Sequence, residues 1–270
     1  MDIYGDKTLE GTTQILKGLT SYWKDRTHSY SMQNLEEMND WRRQAWRDLI
    51  LSHAPHKDRL RILDVGTGPG FFAMNLSLAG HDVTAVDATE HMLYHAMENA
   101  WDYKAKVNFV LARGEFLPFE DGSFDLIVSR NVLWNLEYPE KALSEWVRVL
   151  SPGGRLVYFD ANWYLYLYDE ELKLKREEKR EAFKRRHSDM DVTWGLGPYR
   201  VRELEQMALA LPLSKERRPD WDTRVLKGLG MQDIKVEEEI GRKVQDPVEF
   251  ERDDPTFVFM VCAEKPAPMP

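Results

Sequence analysis

Apolar and polar positions divide the chain into segments with different spacings. Residues 1 to about 55 carry apolar side chains at helical spacing up to Pro55, which predicts an N-terminal helical segment. From Leu60 onward, short apolar runs alternate with helical ones, as in βαβ units. The strand-like runs are Arg61–Val65, Asp82–Asp87, Val107–Leu111, Phe124–Ser129 and Arg155–Asp160. This alternation predicts a mostly parallel sheet with helices on both faces.

The pattern changes after the fifth predicted strand. A mixed-charge helix over Asp169–Arg186, an aromatic turn at Trp194–Tyr199 and further helix predict a cap above the carboxyl ends of the strands. On the mixed-charge helix, a solvated face is favoured over an anion-binding patch. A helix at Trp221–Leu229 and strands at Asp233–Ile240 and Thr256–Glu264 complete the pattern as an antiparallel sheet edge.

The predicted fold is therefore α/β, with a Rossmann-like, seven-stranded, mostly parallel sheet, an N-terminal helical segment and a helical cap inserted after strand five. The expected domain organisation follows the same boundaries along the chain. It comprises a lid (1–55), a cofactor-binding core (56–162), a cap (163–218), the completion of the core (219–265) and a disordered tail (266–270).

Composition and charge indicate which classes of binding partner to expect. The formal charge of −9 would repel nucleic-acid phosphates, so we expect no nucleic-acid partner. No apolar run approaches the roughly 18 residues of a membrane helix, and the N-terminal residues lack a signal-peptide pattern. The single cysteine, Cys262, lies in an apolar run and excludes an intramolecular disulfide. We expect a cytoplasmic monomer or homodimer that binds small molecules and has no membrane partner.

A glycine-rich loop follows the first predicted strand, in the sequence Asp64-Val-Gly-Thr-Gly-Pro-Gly70. Its glycines permit a tight turn and let a ligand touch bare backbone. A dinucleotide fingerprint needs glycine where the chain has Phe71, and the Gly-Lys-Ser/Thr of a P-loop is missing. Asp87 ends the second strand, where a carboxylate either accepts both ribose hydroxyls or caps the next helix. These features predict a nucleoside site.

Together with two later segments, these residues resemble the motifs of class I S-adenosyl-L-methionine-dependent methyltransferases. The similarity is to the small-molecule type that includes enzymes of ubiquinone and menaquinone biosynthesis, and it covers about residues 60 to 160. The matching segments are Ile62–Gly70, Val86–Asp87, Leu117–Asp125 and Leu150–Arg155. The resemblance implies S-adenosylmethionine as the cofactor and methyl transfer to a small-molecule acceptor.

The resemblance also implies the residues around the cofactor. Asp64 would lie near the methionine ammonium, directly or through water and loop amides, and Met92 would either cover the adenine or pack in the core. Arg113 replaces the acid that commonly accepts the adenine amino group, so the backbone after it must supply that contact, while its side chain stacks or turns to solvent. The predicted cofactor-binding residues are Tyr30, Asp64, Gly66, Thr67, Gly68, Asp87, Ala88, Met92, Gly114, Glu115 and Arg130.

Aromatic residues in the leading segment and the cap predict the acceptor site. The segment Tyr22–Tyr30 is similar to the leading signature of the family, whose tyrosine folds over the cofactor. The indole of Trp134 suits a methyl-bearing cation, with packing between helix and sheet as the alternative. The predicted acceptor-binding residues are Tyr22, Asn131, Trp134, Asn162, Trp163, Tyr164, Trp194 and Tyr199. Such a pocket suits a small, partly apolar or cationic acceptor.

Methyl transfer from a sulfonium is an in-line displacement that needs alignment and exclusion of water more than an acid or base. We therefore assign no catalytic base, although His28 and Asn131 are candidates for a role beside the reacting atoms. His91 and His95 share a helix face but lack a third ligand, so no metal is expected. The alternatives are cyclisation or aminoalkyl transfer with the same cofactor, an NAD-binding oxidoreductase, and a non-catalytic binding module.

Overall fold

The computed structural model describes residues 14–190, 197–253 and 255–267. The helices are α1 (Gln14–Met38), α2 (Trp41–Ser52), α3 (Phe71–Leu78), α4 (Glu90–Tyr103), α5 (Pro139–Val149), α6 (Glu170–Arg186), α7 (Gly197–Ala208), α8 (Asp220–Gly228), α9 (Gly241–Val244) and α10 (Pro247–Asp253). The strands are β1 (Arg61–Val65), β2 (Asp82–Asp87), β3 (Val107–Leu111), β4 (Phe124–Arg130), β5 (Leu150–Asp160), β6 (Gln232–Glu237) and β7 (Phe259–Glu264). The predicted Trp194, and most of the tail predicted at 266–270, lie outside the described residues.

The strands form one sheet in the order β3-β2-β1-β4-β5-β7-β6. Strands β1 to β5 are parallel, and β7 runs antiparallel to both β5 and β6. The predicted Rossmann-like, seven-stranded, mostly parallel sheet with its flanking helices is confirmed. The strand order reverses its direction between β1 and β4, and this switch opens a crevice at the carboxyl ends of these two strands.

Alternate residues of the strands supply the two hydrophobic cores. Ile62 of β1 packs on one face with residues of α2, α3 and α4, such as Trp46 and Phe72. Leu63, the next residue along the strand, packs on the other face with α5 and α8, where Trp146 is fully buried. This alternation arises because successive side chains of a strand point to opposite faces of the sheet. Since helices cover both faces, the loops at the carboxyl ends of the strands are left for binding.

Within residues 14–55, the N-terminal segment forms two helices. The break falls at Asn39–Asp40, where the Asp40 carboxylate accepts a hydrogen bond from the backbone N–H of Arg42 at 2.8 Å and caps α2. The separate helices take different positions. Whereas α2 packs on the sheet through Trp46 and Ile50, α1 reaches the carboxyl ends of the strands.

Helices α9 and α10 were not predicted, although the sequence carries a signal for α10. Asp246 precedes Pro247, and Glu249 follows at the third helical position, which together form a capping box. The Asp246 carboxylate accepts from the backbone N–H of Val248 at 2.8 Å, and Glu249 accepts from that of Asp246 at 3.3 Å. The prediction of β6 up to Ile240 was too long, because the left-handed backbone at Glu239 (φ +53°) ends the extended run.

Candidate cofactor and acceptor sites

The glycine loop between β1 and α3 is folded as its sequence predicts. Gly66 has φ +67°, and a Cβ added there would collide with the Val132 side chain. Gly68 has φ +55°, and its added Cβ would lie 3.4 Å from the Tyr30 ring. Side chains are therefore disfavoured at both positions, and Tyr30 of α1 covers the loop backbone.

Asp64 lies beneath this loop and holds its shape. Its Oδ2 accepts hydrogen bonds from the Thr67 hydroxyl at 2.6 Å and from the backbone N–H of Ala73 at 3.1 Å. Burial raises the pKa of Asp64 to about 7, against the lowering effect of these two hydrogen bonds. Among the described residues, no donor forms a hydrogen bond to its Oδ1.

Asp87 ends β2 beside the same loop. One carboxylate oxygen accepts from the backbone N–H of Gly68 at 2.9 Å, and the other accepts from that of Thr89 at 2.8 Å. Burial raises the pKa of Asp87, and the amide hydrogen bonds oppose that shift. Thr89, and not Asp87, occupies the N-cap position of α4, so capping of this helix is not the role of Asp87.

A cavity of about 110 Å³ adjoins the loop and contains most of the predicted cofactor-binding residues. Its lining includes Tyr30, Gly66, Gly68, Asp87, Ala88, Met92, Gly114, Glu115 and Arg130. The remaining predicted residues, Asp64 and Thr67, do not line this cavity and lie under the loop instead.

Arg113 is not turned to solvent, because it is only 3% exposed. Its guanidinium pairs with the Glu115 carboxylate at 2.8 Å and lies 3.7 Å from that of Glu137. It also lies over the Phe116 ring, at 5.4 Å from the centroid. Both Arg113 and Glu115 line this cavity of about 110 Å³, which is the smaller of two cavities at the candidate sites. Their opposite charges therefore compensate each other where an adenine would be expected.

A second cavity, of about 360 Å³, lies between α1, β4 and the cap. Its lining includes the predicted Tyr22, Asn131, Trp134, Trp163 and Tyr164. The rings form a continuous cluster, with centroid distances of 5.2 Å for Trp134–Tyr164 and 6.5 Å for Trp23–Trp134. Trp134 packs with residues of α1 and α7, which differs from the alternative of helix-to-sheet packing.

Four residues line both cavities, and we call them the shared residues: Trp23, Tyr30, Arg130 and Asn131. Arg130 pairs with Glu37 of α1 at 2.6 Å and lies 4.8 Å from the centroid of Phe71. Asn131 has a left-handed backbone, with φ +59°, and its N–H donates to the Phe159 carbonyl at 2.8 Å. Its buried Oδ1 has no hydrogen-bond partner among the described residues.

Three predicted residues are placed elsewhere. The Asn162 amide is engaged by the backbone of Arg218, donating to its carbonyl at 2.7 Å and accepting from its N–H at 3.1 Å. Tyr199 is 79% exposed on α7. His28 is also exposed, and its ring lies 6.3 Å from that of His95. None of the three lines either cavity, so we do not retain them in the candidate site.

A buried polar network, which the sequence pattern does not predict, joins β5 to α8. Arg218 pairs with Asp160 and with Asp222, and the Tyr158 hydroxyl donates to Asp222 at 2.7 Å. Asp160 also accepts from the backbone N–H of Trp134 at 3.1 Å. The network therefore fixes a residue of the larger cavity. Tyr158 and Asp160 of β5 are distant in sequence from Arg218 and Asp222, and no local motif marks the four residues.

The sequence model of a family described as "Methyltransferase domain" matches residues 63–158. This part of the chain resembles a methyltransferase domain. It contains the glycine loop, Asp87 and two shared residues, Arg130 at the end of β4 and Asn131 directly after it, and the match confirms the resemblance predicted from the sequence. The other two shared residues, Trp23 and Tyr30, belong to α1 and lie outside the matched range.

Curated relatives resemble part of the chain. The chain is 41% identical over 110 residues to a malonyl-[acyl-carrier protein] O-methyltransferase of Erwinia pyrifoliae, covering 40% of each protein. It is 42% identical over 119 residues to a demethylmenaquinone methyltransferase of Thermus thermophilus, covering 43% of this chain and 52% of the relative. The matched region thus spans about half or less of these relatives' length.

A solved structure extends the likeness in fold beyond this region. Phosphoethanolamine N-methyltransferase 2 of Haemonchus contortus, in complex with S-adenosyl-L-methionine, aligns with a TM-score of 0.60 at 20% identity. The alignment covers 95% of this chain and 61% of that protein. At this level of identity the likeness shows a common fold.

No helix in the described ranges has the length and apolar character needed to cross a membrane. Within the same ranges, no cluster of three or more histidine, cysteine or acidic side chains is arranged to hold a metal ion.

Proposed function

We propose that this chain is an S-adenosylmethionine-dependent methyltransferase that transfers a methyl group to a small-molecule acceptor by in-line displacement. The observation that carries the proposal is the meeting of two cavities at the shared residues. One cavity adjoins the glycine loop, and the other is walled by aromatic rings. A donor and an acceptor held in them would face each other across Asn131.

The smaller cavity has the groups that this cofactor requires. Asp87 retains acceptor capacity on both carboxylate oxygens, which suits the two ribose hydroxyls. Asp64 lies under the glycine loop and outside the cavity lining, and its Oδ1 would act on the methionine ammonium directly or through water and loop amides. Phe71, which is 1% exposed, fills the place of the third glycine of a dinucleotide site and argues against NAD.

The bound cofactor would supply an electrophilic methyl group on its sulfonium, and the protein would align the acceptor with it. Trp23 and Tyr30 form the wall between the two cavities and would exclude water from the reacting atoms. The Oδ1 of Asn131 can accept a hydrogen bond from the acceptor nucleophile and orient its lone pair. An amide cannot remove a proton, so this role is positioning.

We also propose that α1 acts as a lid and that residues 163–218 act as a cap over the acceptor. Tyr30 rests on Gly68 of the glycine loop, and Glu37 pairs with Arg130 at the end of β4. These contacts hold α1 across the site. Entry of the cofactor would require α1 to move away from the loop.

The proposal is tested by calorimetric titration of the full chain with S-adenosylmethionine and with NAD, followed by mass spectrometry of the products. We expect binding of S-adenosylmethionine and formation of S-adenosylhomocysteine when an acceptor is methylated. Release of methylthioadenosine would indicate aminoalkyl transfer instead. Binding of NAD alone would overturn the proposal, and binding of S-adenosylmethionine without turnover across a broad acceptor panel would favour a binding module.

A further inference from the structure

The cap helix α6 presents arginines to the larger cavity. Arg176 and Arg180, one helical turn apart, line this cavity together with Arg26 of α1. The sequence favours a solvated face for this charged helix. In the structure the helix has a solvated side and a side at the cavity, because Lys175 is exposed while Arg176 is partly buried at the cavity wall.

Arg176 is held in place without a counter-charge from the described residues. Its guanidinium carbon lies 3.9 Å from the centroid of the Tyr166 ring. The Tyr166 hydroxyl donates to Glu205 at 2.6 Å, which fixes the ring on which Arg176 stacks. No carboxylate in the described ranges forms an ion pair with Arg176. The stacking leaves guanidinium N–H groups available for a carboxylate or a phosphate, which they can bind in a bidentate manner.

Two tyrosine side chains of the larger cavity offer further hydrogen-bond donors. Tyr22 and Tyr164 both line it, and neither hydroxyl has a hydrogen-bond partner among the described residues. Burial raises the pKa of Tyr22 to about 12 and raises that of Tyr164 as well. Both groups are protonated at neutral pH and can donate a hydrogen bond to an anionic oxygen.

Most acidic residues of the larger cavity are engaged elsewhere. Glu37 pairs with Arg130 at 2.6 Å, and Glu249 pairs with Arg42 at 2.9 Å. Asp253 accepts from the Gln245 amide at 2.7 Å and pairs with Arg252 at 3.5 Å. These contacts compensate the carboxylates locally, so they do not neutralise Arg176.

We propose that the methyl acceptor carries an anionic group, a carboxylate or a phosphate, that binds Arg176 and the hydroxyls of Tyr22 and Tyr164. This inference rests on the proposed function, since it takes the larger cavity as the acceptor site. It replaces the cationic acceptor that the aromatic composition suggested. The nucleophilic end of such an acceptor would point away from α6, toward Asn131.

The test uses the full chain saturated with S-adenosylhomocysteine and follows the fluorescence of the cavity tryptophans. The probes are benzoate, phenyl phosphate, neutral benzamide and cationic benzylamine, at constant ionic strength. We expect at least one of the two anions to bind about tenfold or more tightly than benzamide, because charge-assisted hydrogen bonds are lost with the neutral probe. The preferred anion distinguishes a carboxylate from a phosphate acceptor.

Two neighbouring substitutions on α6 provide the control. Arg176→Gln should remove the preference for the anion, and Lys175→Gln, on the exposed face, should leave it unchanged. Arg176→Lys should restore part of it, since it keeps the charge without the planar donors. Equal affinities for benzoate, phenyl phosphate and benzamide, tighter binding of benzylamine, or identical effects of the Arg176→Gln and Lys175→Gln variants would overturn the inference.

Titration of the same protein samples with S-adenosylmethionine separates this inference from the proposed function. Arg176 does not line the smaller cavity, so its substitution should leave cofactor affinity unchanged. Loss of anion preference with intact cofactor binding would support the subsite. Anion preference in a protein that does not bind S-adenosylmethionine would refute the proposed function and leave the anion site standing.

Discussion

Replacing Asp64 by asparagine should make the protein more stable at neutral pH. In the folded protein the pKa of Asp64 is about 7, compared with an ordinary value of 3.8, because the carboxyl group is buried. Asparagine keeps the shape of the side chain. Its amide oxygen can take the position of Oδ2 and accept from Thr67 and Ala73 as before. The substitution therefore removes mainly the cost of ionising a buried group.

The sign and size of the effect follow from proton linkage. Below pH 3.8 the carboxyl group is protonated in both folded and unfolded chains, so it does not penalise the folded state. Between that pH and about 7 the folded chain binds more protons, and the wild-type protein loses stability as the pH rises. Since one pKa unit is worth about 1.4 kcal/mol, the limit of this loss is about 4 kcal/mol.

Urea unfolding at a series of pH values from mildly acidic to mildly alkaline measures the difference directly. The advantage of Asp64→Asn over the wild type should grow with pH and level off above about 7. Asp125→Asn provides a control of opposite sign. Despite burial, hydrogen bonds from Arg61 and Lys57 hold the pKa of Asp125 well below its usual range. Parallel stability curves for the wild type and Asp64→Asn would refute the reasoning.

Further predictions concern the two ligands. If the methionine ammonium lies near Asp64, binding of S-adenosylmethionine should favour the ionised carboxylate. Calorimetry should then find that the affinity for S-adenosylmethionine rises by a factor of about ten between pH 6 and 8. The Asp64→Asn variant should show no such rise. Asp87→Ala should weaken S-adenosylmethionine binding by roughly 1–3 kcal/mol in the same assay, and unchanged affinity would mean that the ribose lies elsewhere. Asn131→Ala should lower kcat about 10- to 100-fold with nearly unchanged cofactor affinity, and a matching loss of cofactor affinity would contradict a positioning role.

The core of the fold could be predicted because its signals are local. The strand at Arg61–Val65, the glycine loop and the acid at Asp87 follow one another within a single βαβ unit. Each of them depends on neighbours in sequence. Parallel pairing then brings the carboxyl ends of β1, β2 and β4 to one edge of the sheet, so the smaller cavity followed from the same information.

The lining of the larger cavity could be predicted only in part, because it depends on which way each cap residue faces. Asn162 and Trp163 are adjacent at the end of β5, yet the Asn162 amide binds the backbone of Arg218 while Trp163 lines the cavity. No local feature of the sequence indicates that Asn162 and Trp163 face different ways. Likewise, the orientation of α6, and hence of Arg176, is set by packing against Tyr166. The spacing of residues along the sequence does not predict tertiary contacts of this kind.

Trp23 and Tyr30 lie on the same helix, α1, and line both cavities. A displacement of α1 that opens one cavity must therefore also alter the walls of the other. If α1 acts as the proposed lid, the two ligands would share the free-energy cost of closing this helix, and whichever binds first would reduce the cost for the second. Linkage requires this cooperativity to be reciprocal, so the acceptor must strengthen binding of the cofactor by the same factor by which the cofactor strengthens binding of the acceptor.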